Sequence, residues 1–322
     1  MRSLVRVFGL LLLLLVPACA REEEAPLRVG TLLWPGGEPL FLARQLGAFD
    51  DSSVRLVEYS SLGEVNRAFR NGLIDAVDVT LDMALQLQQQ GFEPRVVLVM
   101  DYSYGADAIL ARPEVNGLAQ LRGRRVAVED LAVSTYLLSR ALERVGLRPS
   151  DIEIVRVPVD QHLEAYQSGE VDAVVSFEPF VGQLRAAGAR TLFDSTELPG
   201  EIMNVLVVRR EVLEKEPGQV KRLLRGWFEA LCYLERHPAD AVARMSPRLG
   251  TRPEAFASAL AAVRHPSLPE NISLLAAPSS SFVSSAWRLQ RFMLESGLLR
   301  EPVRPEEMRD ARILEALQEV QR

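Results

Sequence analysis

One ten-residue frame occurs twice in this chain and constrains its fold more than any other feature. Ala68-Phe-Arg-Asn-Gly-Leu-Ile-Asp-Ala-Val77 returns as Ala165-Tyr-Gln-Ser-Gly-Glu-Val-Asp-Ala-Val174, giving A-(F/Y)-x-x-G-x-(I/V)-D-A-V. Each copy reads as a helix closed by glycine, a short turn and an apolar strand. Two copies do not make a solenoid, whose repeats recur many times at a fixed period. They point to two lobes built on one kind of α/β unit with a cleft between them. Convergent helix–glycine–strand chemistry is the alternative source of the likeness.

The start of the chain reads as an export signal. Arg2 and Arg6 form a basic beginning, Leu10–Leu15 are consecutive leucines, and Val16-Pro17-Ala18-Cys19 follows. A charged start, a short apolar run and a small residue before the cut define a secretory leader. The run is too short to span a bilayer as a helix. Cys19 after Ala18 resembles a bacterial lipobox, so residues 1–18 are expected to be removed. Cys19 would then carry the lipid, and residues 19–26 would form a lipidated tether. Ordinary secretion with a chance cysteine is the alternative. Burial of acyl chains holds a protein on a membrane surface without a spanning helix. Cys232, inside an apolar helical pattern, reads as a small core residue, and no disulfide framework exists.

Charge narrows the partners. The sequence has 37 basic and 43 acidic residues, and two of the basic ones lie in the leader. A net-acidic mature chain with scattered arginines argues against nucleic acid. No catalytic or metal motif is present, and the histidines His162, His237 and His265 are scattered. No cofactor is therefore expected.

From Leu27 the chain alternates strand and helix, with glycine at helix ends such as Gly47, Gly72, Gly91, Gly146, Gly169 and Gly188. Asn204–Arg209 reads as a strand leading back to the first lobe, and the chain from Val212 onward as helical. The expected fold is α/β with two lobes and two hinge crossovers, near Tyr104–Pro113 and Glu197–Asn204. Residues 27–105 and 204–322 form lobe 1, and 106–203 form lobe 2, inserted in the first.

In such sheets ligands sit beyond the carboxyl ends of strands. Trp34, among glycines after the first strand, is placed to stack on a flat or cationic ligand, or to pack onto its own lobe. Asp82 and Phe177-Glu178 follow the two repeated strands. Both carboxylates are ligand candidates, or acceptors for helix-start N–H groups. Asp101, Tyr102, Tyr104 and Asp107 crowd one crossover segment. Glu129, Ser134 and Thr135 open a helix after another strand, with Ser134 read as its N-cap. Asn204 begins the return strand.

These residues carry a family resemblance. Trp34-Pro-Gly-Gly-Glu-Pro-Leu-Phe-Leu-Ala43 with Gly47-Ala-Phe49, Asn71-Gly-Leu-Ile-Asp-Ala76, Asp101–Asp107, Leu121-Arg-Gly123, Ser168-Gly-Glu-Val-Asp-Ala173 and Phe177-Glu-Pro179 resemble, in that order, elements of nitrate/sulfonate/thiamine-precursor-type substrate-binding proteins of ABC importers. The likeness covers roughly Leu27–Arg209. It implies a two-lobed periplasmic-binding-protein fold of type II, closure on a small molecule, and delivery to a permease with a cytoplasmic ATPase. The expected receptor is a monomer tied to the membrane by its lipid. Phe177 stands where the family often has Trp and lacks the indole donor. The candidate carboxylates favour a small amine, amidine, urea-like or amino-heterocyclic ligand over an inorganic anion. A same-fold enzyme of pyrimidine synthesis and a sensor subunit are the rival expectations.

Overall fold

The computed structural model describes residues 25–321. The leader 1–18, Cys19 and the tether up to residue 24 lie outside the described residues. The strands are β1 (Leu27–Thr31), β2 (Val54–Glu58), β3 (Ala76–Thr80), β4 (Pro94–Ser103), β5 (Asp107–Ala111), β6 (Arg125–Val128), β7 (Glu153–Arg156), β8 (Ala173–Phe177), β9 (Arg190–Asp194), β10 (Met203–Arg209) and β11 (Val263–Arg264). They form two sheets, ordered β11-β4-β10-β3-β1-β2 and β7-β6-β8-β5-β9.

The sheets share one plan. β2, β1 and β3 are parallel, and an antiparallel strand, β10, separates β3 from β4. β7, β6 and β8 are likewise parallel, and antiparallel β5 separates β8 from β9. β5 enters the second sheet directly from β4, and β10 re-enters the first directly from the second. Each lobe is thus completed by a strand that has just crossed from the other. Helices cover the sheet faces, so β3, β8 and β10 are buried along nearly their whole length and mostly apolar, with Asp78 the charged exception in the middle of β3.

The repeated frame is the same device in both lobes. Asp75 accepts from the Arg28 backbone N–H at 2.9 Å and its Nε at 2.8 Å. Asp172 accepts from the Arg125 N–H at 3.0 Å and its Nε at 3.2 Å. The aromatic position recurs too. The Arg209 guanidinium lies 4.5 Å from the Phe69 ring centre, and that of Arg112 lies 5.1 Å from Tyr166. Arg209 ends β10 and Arg112 directly follows β5, the two antiparallel crossing strands, and their side chains donate to the carbonyls of Ile74 and Val171. The frame therefore staples three strands together at the end of each sheet remote from the cleft. Gly72 and Gly169 close their helices at φ +71° and +82°, where a side chain would be strained.

Among the described residues two crossings join the lobes, Tyr104–Ala106 and Ser195–Ile202. The Ser195 hydroxyl lies 2.7 Å from Ser103 Oγ and accepts from the Gly105 N–H at 2.7 Å, so the crossings run side by side. The second also carries Glu201, which accepts from the Tyr136 hydroxyl at 2.5 Å and Arg140 Nε at 3.2 Å, and pairs with Arg288 at 4.0 Å. Tyr136 and Arg140 lie on the helix Ala132–Glu143 of lobe 2, and Arg288 on the helix Ser281–Glu295 of lobe 1. Tyr136 and Phe292 meet edge to face at 5.0 Å beside this carboxylate.

Four expectations need correction. β4 runs through Asp101–Ser103, where pairing with β10 and β11 holds the backbone extended, so the first crossing is shorter than expected. The carboxy-terminal region is helical except for β11, which edges the first sheet. Ser134 is not an N-cap: its helix starts at Ala132 after Leu131, and Ser134 is buried one turn in. Cys232 is half-buried rather than fully enclosed. The helix Pro217–Arg236 buries Val220, Leu223, Leu224, Trp227 and Ala230, the apolar stripe of a 3.6-residue period.

Candidate functional site

The carboxyl ends of β1, β3, β4 and β8 and the start of β5 face one another between the lobes. Trp34 follows β1 on an extended backbone and leads into the tight turn Pro35–Gly37. Its indole Nε1 donates to Asp101 Oδ2 at 3.0 Å, and Asn204 Nδ2 donates to Asp101 Oδ1 at 2.9 Å. Asn204 is registered with Thr80 on one side and Asp101 on the other, which brings the ends of β3 and β4 together through β10. From lobe 2, the Phe177 ring meets Trp34 edge to face at 6.3 Å and Phe180 at 5.9 Å. The repeated strands thus deliver an aromatic contact across the cleft.

Carboxylates surround that contact. Asp107 is registered with Phe177, so it stands beside the residue preceding Glu178. Asp82 occupies the first turn of the helix Leu81–Gln89, directly after β3. Asp82, Asp101, Asp107 and Glu178 are all buried. Burial raises each pKa: that of Asp101 to about 7, partly offset by the Asn204 and Trp34 donors, and that of Asp107 to about 6. Asp82 and Glu178 add repulsion on Asp107, which ties carboxylates of both lobes to one electrostatic group. Glu178 is also raised, against the Gly182 N–H and an Arg185 pairing at 3.6 Å. Asp82, Asp101 and Asp107 have no ion-pair partner among the described residues.

The remaining candidates are dispersed. Glu129 directly follows β6, and its carboxyl is pushed up to about 7 by burial and by Asp160 and Asp130; its Oε2 is buried without a partner. The Thr80 hydroxyl at the end of β3 is also buried, beside Asp82, whose raised pKa it partly offsets. The Thr135 hydroxyl donates back to the Leu131 carbonyl, one turn earlier. Tyr102 lies away from the cluster, under Arg264 at 5.9 Å and near Gly200, because neighbouring residues of a strand face opposite ways. Tyr104 is exposed on the first crossing.

Sequence reasoning missed Asp78, Glu38 and Phe180. Asp78 is buried within β3, and its pKa is raised well above the usual value by burial and by Asp101 and Glu38. A charged residue inside Ala76-Val-Asp-Val-Thr80 was the visible signal. Glu38 is fully buried and receives Arg248 Nε at 3.1 Å on each carboxylate oxygen; burial nevertheless pushes its pKa to about 7.

The model of the NMT1-like family matches residues 20–246. The chain belongs to that family. Among relatives of this NMT1-like chain, the taurine-binding periplasmic protein of Escherichia coli is 25% identical over 199 residues, covering 60% of this chain and 62% of the relative. That alignment therefore spans less than two thirds of the relative's length. A putative aliphatic sulfonates-binding protein of Escherichia coli is 25% identical over 267 residues, 81% of this chain and 83% of the relative. The crystal structure of the periplasmic aliphatic sulphonate binding protein SsuA from Escherichia coli superposes with a TM-score of 0.75 at 21% identity, covering 88% of this chain and 92% of that one. The NMT1-like chain thus has the two-lobed fold of periplasmic binding proteins, with Trp34, Phe177, Asp82, Asp101, Asp107 and Glu178 meeting between the lobes.

Proposed function

We propose that this chain is the extracytoplasmic solute-binding receptor of an ABC importer. In this reading residues 1–18 export it, lipid on Cys19 holds it at a bacterial membrane, and a permease with its ATPase receives the ligand. The lobes close on a small polar molecule bearing an amine, amidine, urea-like or amino-heterocyclic group. The names of the relatives support a receptor for small solutes. The observation that carries the ligand chemistry is the convergence of Asp82 from lobe 1 with Asp107 and Glu178 from lobe 2, beside the Trp34–Phe177 contact.

Physical cost favours a cationic group there. Asp82 and Asp107 have no ion-pair partner among the described residues, and a buried carboxylate without a counter-charge is costly to keep ionised. A donor-rich cation supplies the missing partners, and aromatic rings add attraction for it. A ligand that is only a sulfonate or nitrate would instead meet repulsion. A zwitterion such as taurine is compatible through its amine end.

A thermal-shift screen of amines, amidines, aminopyrimidines, taurine, alkanesulfonates and nitrate tests the reading, because a ligand bound only by the folded state raises its melting temperature. Amine-bearing compounds should stabilise the receptor, and Asp82→Asn with Asp107→Asn should remove the effect. Stabilisation by nitrate and amine-free sulfonates alone would overturn the ligand assignment. No response to any small molecule would count against the receptor reading.

A further inference from the structure

The segment Trp34–Glu38 is held from outside the part of the chain that matches the family. Arg248 lies in the turn Ser246–Leu249 and His265 directly follows β11, both beyond residue 246. His265 Nε2 is 2.9 Å from the Gly36 carbonyl oxygen. A carbonyl only accepts, so the histidine proton is on Nε2. Burial lowers the ring's pKa to about 4, and it packs edge to face on the buried Trp227 at 5.7 Å. Arg248 grips the Glu38 carboxylate through Nε, also bonds Glu58, and lays its guanidinium 3.3 Å from the Phe41 ring centre.

Between these two pins the backbone has no slack. A Cβ on Gly36 would lie 2.2 Å from Asp101 Oδ2 and 2.4 Å from Trp34 Nε1. One on Gly37 would lie 2.6 Å from Asp78 Oδ2. The indole–carboxylate bond therefore depends on where the Gly36 peptide sits, and His265 holds that peptide.

We infer that His265 and Arg248 are positioning residues of the ligand site, through which the carboxy-terminal helices set the Trp34 indole against Asp101 and Phe177. The inference rests on the reading of Trp34 as a cleft wall, but its test needs no ligand. In the full-length protein labelled with ¹⁵N at its tryptophans, the Trp34 indole N–H is assigned by its loss in Trp34→Phe. His265→Leu keeps the ring's approximate volume and removes the donor. It should move the Trp34 resonance and speed its hydrogen exchange at least tenfold. His265→Gln places an amide nitrogen where Nε2 was, and should restore both. Arg248→Met should produce the same change from the other pin.

A folded His265→Leu protein with an unmoved Trp34 signal would overturn the inference and leave His265 a structural residue only. If the leucine variant does not fold, His265→Asn carries the test, since its amide is too short to reach Gly36. An asparagine variant matching Gln in both readouts would equally overturn it. Loss of Trp34 order with unchanged melting shifts from stabilising amines would support the pin while removing Trp34 from the ligand site.

Discussion

Asp107→Asn should make the ligand-free protein more stable at pH 8 and have nearly no effect at pH 3.5. Asp107 is enclosed, lacks an ion-pair partner among the described residues, and is faced by Asp82, Asp101 and Glu178, with the Ser103 hydroxyl as its main relief. Its pKa rises from an ordinary 3.8 to about 6 on folding. Between those values the folded state holds a proton that the unfolded state has released. Its stabilising contribution is therefore complete below the unfolded value and is lost as pH rises through about 6. A tenfold change in proton affinity corresponds to about 1.4 kcal/mol, so the difference across the window is about 3 kcal/mol. Asparagine cannot titrate and removes this pH dependence. Urea unfolding of both proteins at half-unit intervals from pH 3.5 to 8 measures it directly. The gap between the curves should open from near zero to about 3 kcal/mol in the mutant's favour. A gap that does not change with pH would show that Asp107 is hydrated, and the case for a cation-seeking cleft would fail with it. The same substitution should weaken capture of stabilising amines, the trade expected where a binding site stores unfavourable electrostatics.

Other consequences can be checked with standard measurements. Binding of an amine ligand should weaken as pH falls through about 7 and then about 6, because Asp101 and Asp107 in turn take up protons the ligand must displace; calorimetry at pH 5 and 8 reads this. Asp172→Asn should destabilise the protein by about 2 kcal/mol in urea unfolding, since it weakens charge-assisted bonds to the Arg125 N–H and guanidinium, and Asp75→Asn should act alike on Arg28. Glu201→Gln should loosen the tie among Tyr136, Arg140 and Arg288 and increase the radius of gyration of the ligand-free protein in solution scattering. An unchanged scattering profile would show that this carboxylate does not restrain the lobes.

Much of the architecture was legible because its signals are local. Glycine at φ > 0 marks helix ends, and apolar strands between helices mark a sheet covered on both faces. The echo of Ala68–Val77 in Ala165–Val174 foretold two like units. Spacing alone suggests that its aspartates shape turns, whereas each grips an arginine on the neighbouring strand. Arg28 and Arg125 stand equally far before their aspartates, but an isolated arginine at a strand start carries no mark of such a role. The extension of β4 through Ser103 was hidden because pairing with β10 and β11, both distant in sequence, decides it. Trp34, Asp82, Asp101, Asp107, Phe177 and Glu178 were visible as residues following strands. Tyr102 looked equivalent by position, but strand alternation turns it toward Arg264. His265 was unreadable as a neighbour of Gly36, since only the tertiary fold brings them together.

The reciprocal strand exchange sets an order of assembly. β5 through β9 are contiguous, so the second sheet can be completed as soon as its own residues are available. The first sheet cannot: β10 enters only after the whole second lobe, and pairs between β3 and β4. Until then β3 and β4 present open edges, the exposed state that invites mispairing. Contacts so far apart along the chain form slowly because loop closure precedes their reward. During vectorial folding from the amino terminus, the half that begins first finishes last, and the inserted lobe brings the ends of its host within reach of each other.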